Sequence, residues 1–209
     1  MLLKELSEAR GPSGNEEAVR DLILSAVQDH VDEHHIDALG NLICVKKARG
    51  VAANPPWPRR VMVSAHMDEV GLMVTGFNND GSLRFEPVGG IDGRVLLSKQ
   101  VLVGKNAVPG VIGYRPIHLI SREERAHVAD ISRCAIDIGA SNKGAAEKMA
   151  KLGDYVTFRT YYEALDDQGL RAAKGKAFDD RAGCAVLAEL AKEELSYDLY
   201  AVFTTQEEV

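Results

Sequence analysis

Residues 61–68 read Val-Met-Val-Ser-Ala-His-Met-Asp, and this stretch decides the fold class. A short, nearly continuous apolar run is typical of a strand buried on both faces, as in the sheets of α/β proteins. We therefore predict such a strand over Val61–Ala65. It delivers His66 at its carboxyl end, which is where sites form in open α/β sheets.

The sequence on both sides of this strand also has the alternating strand and helix pattern of an α/β protein. A further strand is predicted over Leu42–Lys47, and a small-residue helix over 181–195 leads into an apolar strand at Leu199–Phe203. Near the start of the chain, Ser13 and Glu16 form a capping-box pattern, which predicts that a helix opens there. These elements together favour a mixed sheet with flanking helices.

A different texture occupies the middle of the chain. Short alternating segments punctuated by glycine predict strands at 72–77, 82–87, 100–104, 108–114 and 154–159, with one helix at about 143–152. This block is predicted to be a β barrel or a sandwich inserted into the α/β domain. The expected organisation is an α/β domain in two parts, 1–70 and 163–209, with a β-rich domain at 71–162 between them.

Composition excludes several classes of protein. The chain has 209 residues, of which 45% are hydrophobic and 27% charged, as in ordinary globular domains. The formal charge of −6 and the lack of a basic run disfavour nucleic-acid binding, and no apolar run is long enough to cross a membrane. Three widely spaced cysteines indicate reduced, packed thiols and a cytoplasmic location.

Three polar clusters stand beside apolar strands or helix entries. They are His66 with Asp68, the pair Asp179-Asp180, and Glu207 with Glu208. Imidazole and carboxylate groups at such positions suit metal-assisted hydrolysis. Each also has an ordinary interpretation: a satisfied core histidine, aspartates that cap a helix, and a solvated chain end.

At these clusters the sequence closely resembles the M42 family of metallo-aminopeptidases, which includes TET-type and glutamyl aminopeptidases and proteins labelled endoglucanases or cellulases. The resemblance extends over essentially the whole chain. The motifs that carry it are found at residues 11–16, 37–41, 64–71, 89–92, 109–113 with 116–118, 137–141, 177–183 and 205–209.

The resemblance implies an aminopeptidase with two divalent cations, zinc or cobalt, that acts on peptides. By motif, His66 would bind one cation, Glu208 the other, and Asp179 would bridge both. Asp68 would orient His66, and Glu207 would be the general base. The inserted β-rich domain would mediate dimerisation, and dimers would assemble into a dodecamer.

The sequence also departs from the family. Members continue beyond the Glu-Glu pair, and an aspartate and a late histidine that complete the two cation sites have no counterpart here. We expect the 209-residue chain to be a fragment, inactive by itself, with an apolar sheet edge left prone to pairing. Two alternatives remain open: an inactive, shortened assembly subunit of the same fold, and a glycoside hydrolase.

Overall fold

The computed structural model describes residues 1–49, 59–114, 121–122, 130–166 and 172–209. Of the motifs above, the segment at 116–118 lies outside the described residues. The described residues form two compact units. The α/β unit comprises Met1–Glu69 and Tyr161–Glu207, and the barrel unit comprises Val70–Thr160 with Glu208–Val209.

The described residues contain four α-helices and twelve strands. The helices are α1 (Leu2–Glu8), α2 (Glu17–Val27), α3 (Lys143–Met149) and α4 (Phe178–Leu190). The strands are β1 (Glu33–Ile36), β2 (Leu42–Lys46), β3 (Arg60–His66), β4 (Gly71–Phe77), β5 (Leu83–Val88), β6 (Gln100–Val103), β7 (Val108–Gly113), β8 (Ala135–Asp137), β9 (Tyr155–Phe158), β10 (Glu163–Ala164), β11 (Ala173–Lys174) and β12 (Asp198–Thr204).

The sheet of the α/β unit has the strand order β1-β2-β12-β3. Strand β12 runs parallel to β3 and antiparallel to β2, so the sheet is mixed, as expected. Because β3 and β12 are parallel neighbours, His66 at the end of β3 stands opposite Thr204 at the end of β12. The residues that follow both strands therefore emerge at one edge of the sheet.

The prediction that β3 is buried on both faces is wrong. Among the described strands it lies at the edge of the sheet, where Met62 is 70% exposed and Ser64 is also exposed. Ala65 is the buried residue of this strand. An apolar run indicates that a strand can be buried, but it does not show how many strands or helices cover that strand.

Helices α1, α2 and α4 pack with strands β2 and β12 to form the core of the α/β unit. Leu6, Ile23, Leu187 and Phe203 are among its almost fully buried side chains. The predicted capping box is wrong in its role: α2 begins at Glu17, and its N-cap Glu16 makes no side-chain capping bond. The side chain of Ser13 binds Asp68, and that of Glu16 binds the backbone of Gly14 and Gln206.

The barrel unit settles the choice between barrel and sandwich. Strands β4-β5-β8-β7-β6-β9 close into a six-stranded barrel with antiparallel pairs. Its interior holds a separate apolar core that includes Leu72, Leu83 and Ile136. Helix α3 begins at the predicted residue, where Asn142 accepts a hydrogen bond from Ala145 N (3.0 Å), and ends three residues earlier than predicted. Dimerisation through this unit stays a prediction.

Two further findings concern the whole described chain. The three cysteines are free and buried. Among the described residues there is no helix with the length and hydrophobicity that a membrane crossing needs.

Candidate active site

His66 is the centre of the candidate site. It is the last residue of β3, and its side chain is 11% exposed. Its Nε2 lies 3.1 Å from Asp179 Oδ1 and 3.9 Å from Glu207 Oε2, while its Nδ1 lies 3.4 Å from Asp68 Oδ1. The structure thus brings together four of the five predicted site residues within the α/β unit.

Asp68 lies behind the imidazole and is completely buried. Its Oδ2 accepts a hydrogen bond from Ser13 Oγ at 2.6 Å, and its Oδ1 accepts one from Glu207 N at 3.1 Å. A buried carboxylate held in this way presents a fixed negative charge to His66 Nδ1. It therefore favours the tautomer that carries the proton on Nδ1 and leaves Nε2 as an open ligand atom.

Asp179 is presented by an irregular entry into α4. Ala177 adopts a left-handed backbone (φ +53°), Asp179 and Asp180 have non-helical dihedral angles, and the peptide bond between these two residues is cis. Asp180 Oδ1 accepts a hydrogen bond from Gly183 N at 3.1 Å, so it satisfies a backbone donor at the start of the helix. Asp179 has an 89% exposed side chain and is directed to His66.

Glu207 follows a second left-handed residue, Gln206 (φ +56°), just beyond the end of β12. Its side chain is 63% exposed, in contrast to Asp68. The fifth predicted residue, Glu208, is next in the chain, is half-buried and belongs to the barrel unit.

The negative charges around His66 favour both a protonated imidazole and the binding of a cation. Burial by itself lowers the pKa of His66, but the hydrogen bond to Asp179 and the charges of Asp68 and Glu207 outweigh it and hold the pKa above its usual value. His66 Nδ1 is also buried, and it makes no hydrogen bond to the described residues. An imidazole nitrogen facing two exposed carboxylates is a donor set that fits a divalent cation.

Sequence reasoning missed a buried ionic cluster beside the site. Glu69 accepts hydrogen bonds from Lys176 Nζ at 2.5 and 2.7 Å and lies 3.4 Å from Arg181 Nη2. All three side chains are almost fully buried, and burial lowers the pKa of Lys176 to about 8. The available signal was position: Glu69 follows Asp68, Arg181 lies within the 177–183 motif, and Lys176 directly precedes that motif.

Comparison with known proteins identifies the family. A family model described as M42 glutamyl aminopeptidase matches residues 40–209, which is most of the chain. The chain belongs to the M42 peptidase family. A second model, described as AMPT, matches residues 1–22 of this M42 chain.

Among curated relatives, the M42 chain is 32% identical over 215 residues to a lysyl aminopeptidase of Pyrococcus furiosus. That match covers 100% of the chain and 59% of the relative. The chain thus spans less than three fifths of the length of the curated relatives it matches.

Solved structures agree on the fold of the M42 chain. A TET aminopeptidase from a marine sediment archaeon of the Thaumarchaeota has a TM-score of 0.88 at 33% identity, with 100% of this chain and 59% of that one covered. The TET1 peptidase of Pyrococcus horikoshii, which can assemble into a tetrahedron or a large octahedral shell, has a TM-score of 0.84 at 35% identity, with 100% and 61% covered. A Thermotoga maritima protein described as an endoglucanase has a TM-score of 0.80 at 42% identity, with 99% and 59% covered.

Proposed function

We propose that this chain carries residues of the active site of a metal-dependent aminopeptidase that releases N-terminal residues from peptides. The observation that supports it most is the convergence of Asp179 and Glu207 on Nε2 of His66, with Asp68 buried behind the ring. Aminopeptidase names among the relatives point to the same chemistry. The proposed activity is that of the whole protein, because the chain spans 59% of the length of the lysyl aminopeptidase of Pyrococcus furiosus.

Two divalent cations, zinc or cobalt, are part of the proposal. His66 would hold one, Glu208 the other, and Asp179 would lie between them as a shared ligand. Bound there, the cations would polarise the scissile carbonyl and make the attacking water more acidic. Carboxylate and imidazole donors suit both metals, so the donor set does not choose between them.

Glu207 would move the proton. Its exposed carboxylate takes a proton from the attacking water, whose oxygen forms the new bond to the carbonyl carbon. The carbon–nitrogen bond then breaks, and Glu207 returns the proton to the departing amine. Asp68 touches no substrate in this scheme, because it is buried and acts by holding His66 and the backbone of Glu207.

Partners and location complete the proposal. We expect peptides as substrates, and self-association into a dodecamer that begins with dimers formed by the barrel unit, in keeping with the assembling TET1 relative. Three free, buried thiols fit a reducing compartment, which supports a cytoplasmic location.

The test compares two substrates with the full-length protein. We expect release of nitroaniline from aminoacyl-nitroanilides, loss of that activity on treatment with a chelator, and its return with zinc or cobalt. Hydrolysis of carboxymethylcellulose instead would favour the endoglucanase description of the Thermotoga relative. An assembled protein that cleaves neither substrate would favour the inactive subunit.

A further inference from the structure

The segment Ser13–Glu16 lies behind the candidate site, although the proposed chemistry assigns it no role. Its sequence pattern predicts a helix cap, yet α2 begins at Glu17 and its N-cap Glu16 makes no side-chain capping bond. The side chains of Ser13 and Glu16 are both buried, with exposed fractions of 3% and 5%. Buried polar side chains are retained in folded proteins when they have specific partners, so the partners of these two reveal their use.

Ser13 is bound to the buried carboxylate that faces His66. Its hydroxyl donates to Asp68 Oδ2 at 2.6 Å, while the other oxygen of that carboxylate faces Glu207 N at 3.1 Å and His66 Nδ1 at 3.4 Å. The hydroxyl therefore fixes the rotation of the carboxylate. With that rotation fixed, Oδ1 is directed to the imidazole and to the backbone of Glu207.

Glu16 is bound to the turn that carries Glu207. Its Oε1 accepts hydrogen bonds from Gly14 N at 2.7 Å and from Gln206 N at 3.1 Å. Gln206 has a left-handed backbone, which in a residue other than glycine is unfavourable by about 1 kcal/mol or more. The buried acceptor stabilises the turn at its own N–H, and the turn sets the direction in which the Glu207 side chain leaves the backbone.

We infer that Ser13 and Glu16 are positioning residues of this site. Ser13 holds Asp68, and through it the imidazole that would bind a cation. Glu16 holds the Gln206–Glu207 turn, and through it the general base. The inference rests on the proposed function for what the two groups do, but the contacts themselves are independent of it.

The positioning role of Glu16 and a purely structural role, in which the segment only holds α2 against β12, predict different effects of substitution. Both acceptor contacts of Glu16 use the same oxygen, so an amide oxygen can replace it but a shorter side chain cannot reach both donors. We therefore expect Glu16→Gln to keep kcat within about threefold of the unchanged protein. Glu16→Asp and Glu16→Ala should lower kcat about 10- to 100-fold with KM within about twofold, as expected when a supporting contact is lost.

The matched control for these variants is Glu17→Ala. Glu17 is the next residue and is exposed on the first turn of α2. Hydrogen exchange of the cation-free protein gives a readout besides activity: the peptide around Gln206 should exchange faster in Glu16→Asp than in Glu17→Ala. If Glu16→Asp keeps kcat within twofold, or if Glu16→Gln loses as much as Glu16→Asp, the role assigned to Glu16 is overturned.

Ser13 is tested by cation binding, with a second buried serine as control. Ser7 is fully buried and donates to Lys176 O at 2.7 Å, so Ser7→Ala removes a comparable hydrogen bond away from Asp68. In calorimetric titration of the full-length protein with zinc alone, Ser13→Ala should bind about tenfold more weakly, while Ser7→Ala and Ser13→Thr stay within about threefold. Equal affinities for Ser13→Ala and Ser7→Ala would overturn the role assigned to Ser13.

These measurements separate the inference from the proposed function. If the unchanged full-length protein cleaves no aminoacyl-nitroanilide, the proposed function fails, and zinc titration and hydrogen exchange still decide the two positioning roles. If the unchanged protein is active and the variants behave like their controls, the inference alone fails.

Discussion

Glu207 combines an exposed carboxylate with a backbone that is held from behind. Its Oε2 is 3.9 Å from His66 Nε2, whereas its N–H is bound to Asp68. We expect Glu207→Gln in the full-length protein to abolish peptidase activity, by at least about 100-fold, while cations remain bound, because the amide cannot accept the proton. Nitroanilide assays with zinc analysis of the same sample check this, and retained activity would exclude Glu207 as the base.

Arg181 is a buried guanidinium that organises backbone rather than substrate. It donates to the carbonyl oxygens of Leu6, Ala9, Gly11 and Met67 at 2.6–3.2 Å, and it also faces Glu69. Removing it leaves these acceptors buried and Glu69 with fewer cationic partners. We expect Arg181→Met to lower the free energy of unfolding by about 3 kcal/mol or more.

Urea unfolding followed by circular dichroism measures the effect of Arg181→Met. The control is Arg49→Met, which breaks an exposed pair with Asp32 and should change the free energy of unfolding by less than about 1 kcal/mol. Equal effects of the two substitutions would show that the buried contacts of Arg181 contribute nothing specific to stability.

The buried thiols predict how stability changes at high pH. Burial raises the pKa of Cys44 to about 11 and that of Cys184 to about 12, while an unfolded thiol has a pKa near 9. Above pH 9 the unfolded chain loses these protons first, so the thiols' contribution is complete below pH 9 and is lost as pH rises through 11 to 12. Burial lowers the pKa of Lys176 to about 8. Its deprotonation therefore has the opposite effect above pH 8: it raises the free energy of unfolding as pH rises.

The Cys184→Ala variant separates the contribution of this thiol to the free energy of unfolding from that of Lys176. The difference in unfolding free energy between the unchanged chain and Cys184→Ala should fall between pH 9 and pH 10.5, as measured by urea unfolding. Neither thiol should react with a disulfide reagent at pH 8 without denaturant. Rapid native labelling at that pH would contradict the raised pKa values.

At the scale of elements, periodic strands were the most predictable part of the fold. Strands β4, β6 and β9 follow from alternation and glycine punctuation, but β8 is only three residues long and offers too short a pattern. The meeting of His66 and Glu207 was also predictable, since residues that follow parallel strands emerge at one edge. Asp179 follows no parallel strand, and the irregular entry into α4 brings it to His66. The roles of Ser13 and Glu16 were not, because their partners Asp68 and Gln206 are 55 and 190 residues away in sequence.

The exposed edge strand β3 predicts how the 209-residue chain behaves in solution. Met62 is a large apolar side chain on an edge that is unpaired among the described strands, which favours pairing between chains. We expect Met62→Lys to reduce the associated fraction at least twofold in sedimentation velocity experiments. The control Val186→Lys changes a similarly exposed residue on α4 and should leave that fraction unchanged. A similar effect of both substitutions would assign association to general hydrophobicity.

At the scale of the whole molecule, the apolar residues that the structure describes are divided between two cores. Ile23 on α2 belongs to the core of the α/β unit, and Ile136 on β8 belongs to the core of the barrel unit. The candidate site residues His66, Asp68, Asp179 and Glu207 all lie in the first unit. Placing an insertion between His66 and Asp179 therefore lengthens the chain between two site residues without dividing the core that supports them.

Separate cores predict separate thermal transitions. Ile23 and Ile136 are both fully buried, so Ile23→Val and Ile136→Val remove the same methylene group from different cores. Each should lower stability by about 1 kcal/mol and the melting temperature of its own unit by about 5 °C. In scanning calorimetry of the 209-residue chain, each substitution should therefore move one transition and leave the other within about 1 °C. A single transition that both substitutions move equally would show that the two units unfold as one cooperative body, and that stability in the site's unit depends on packing in the barrel.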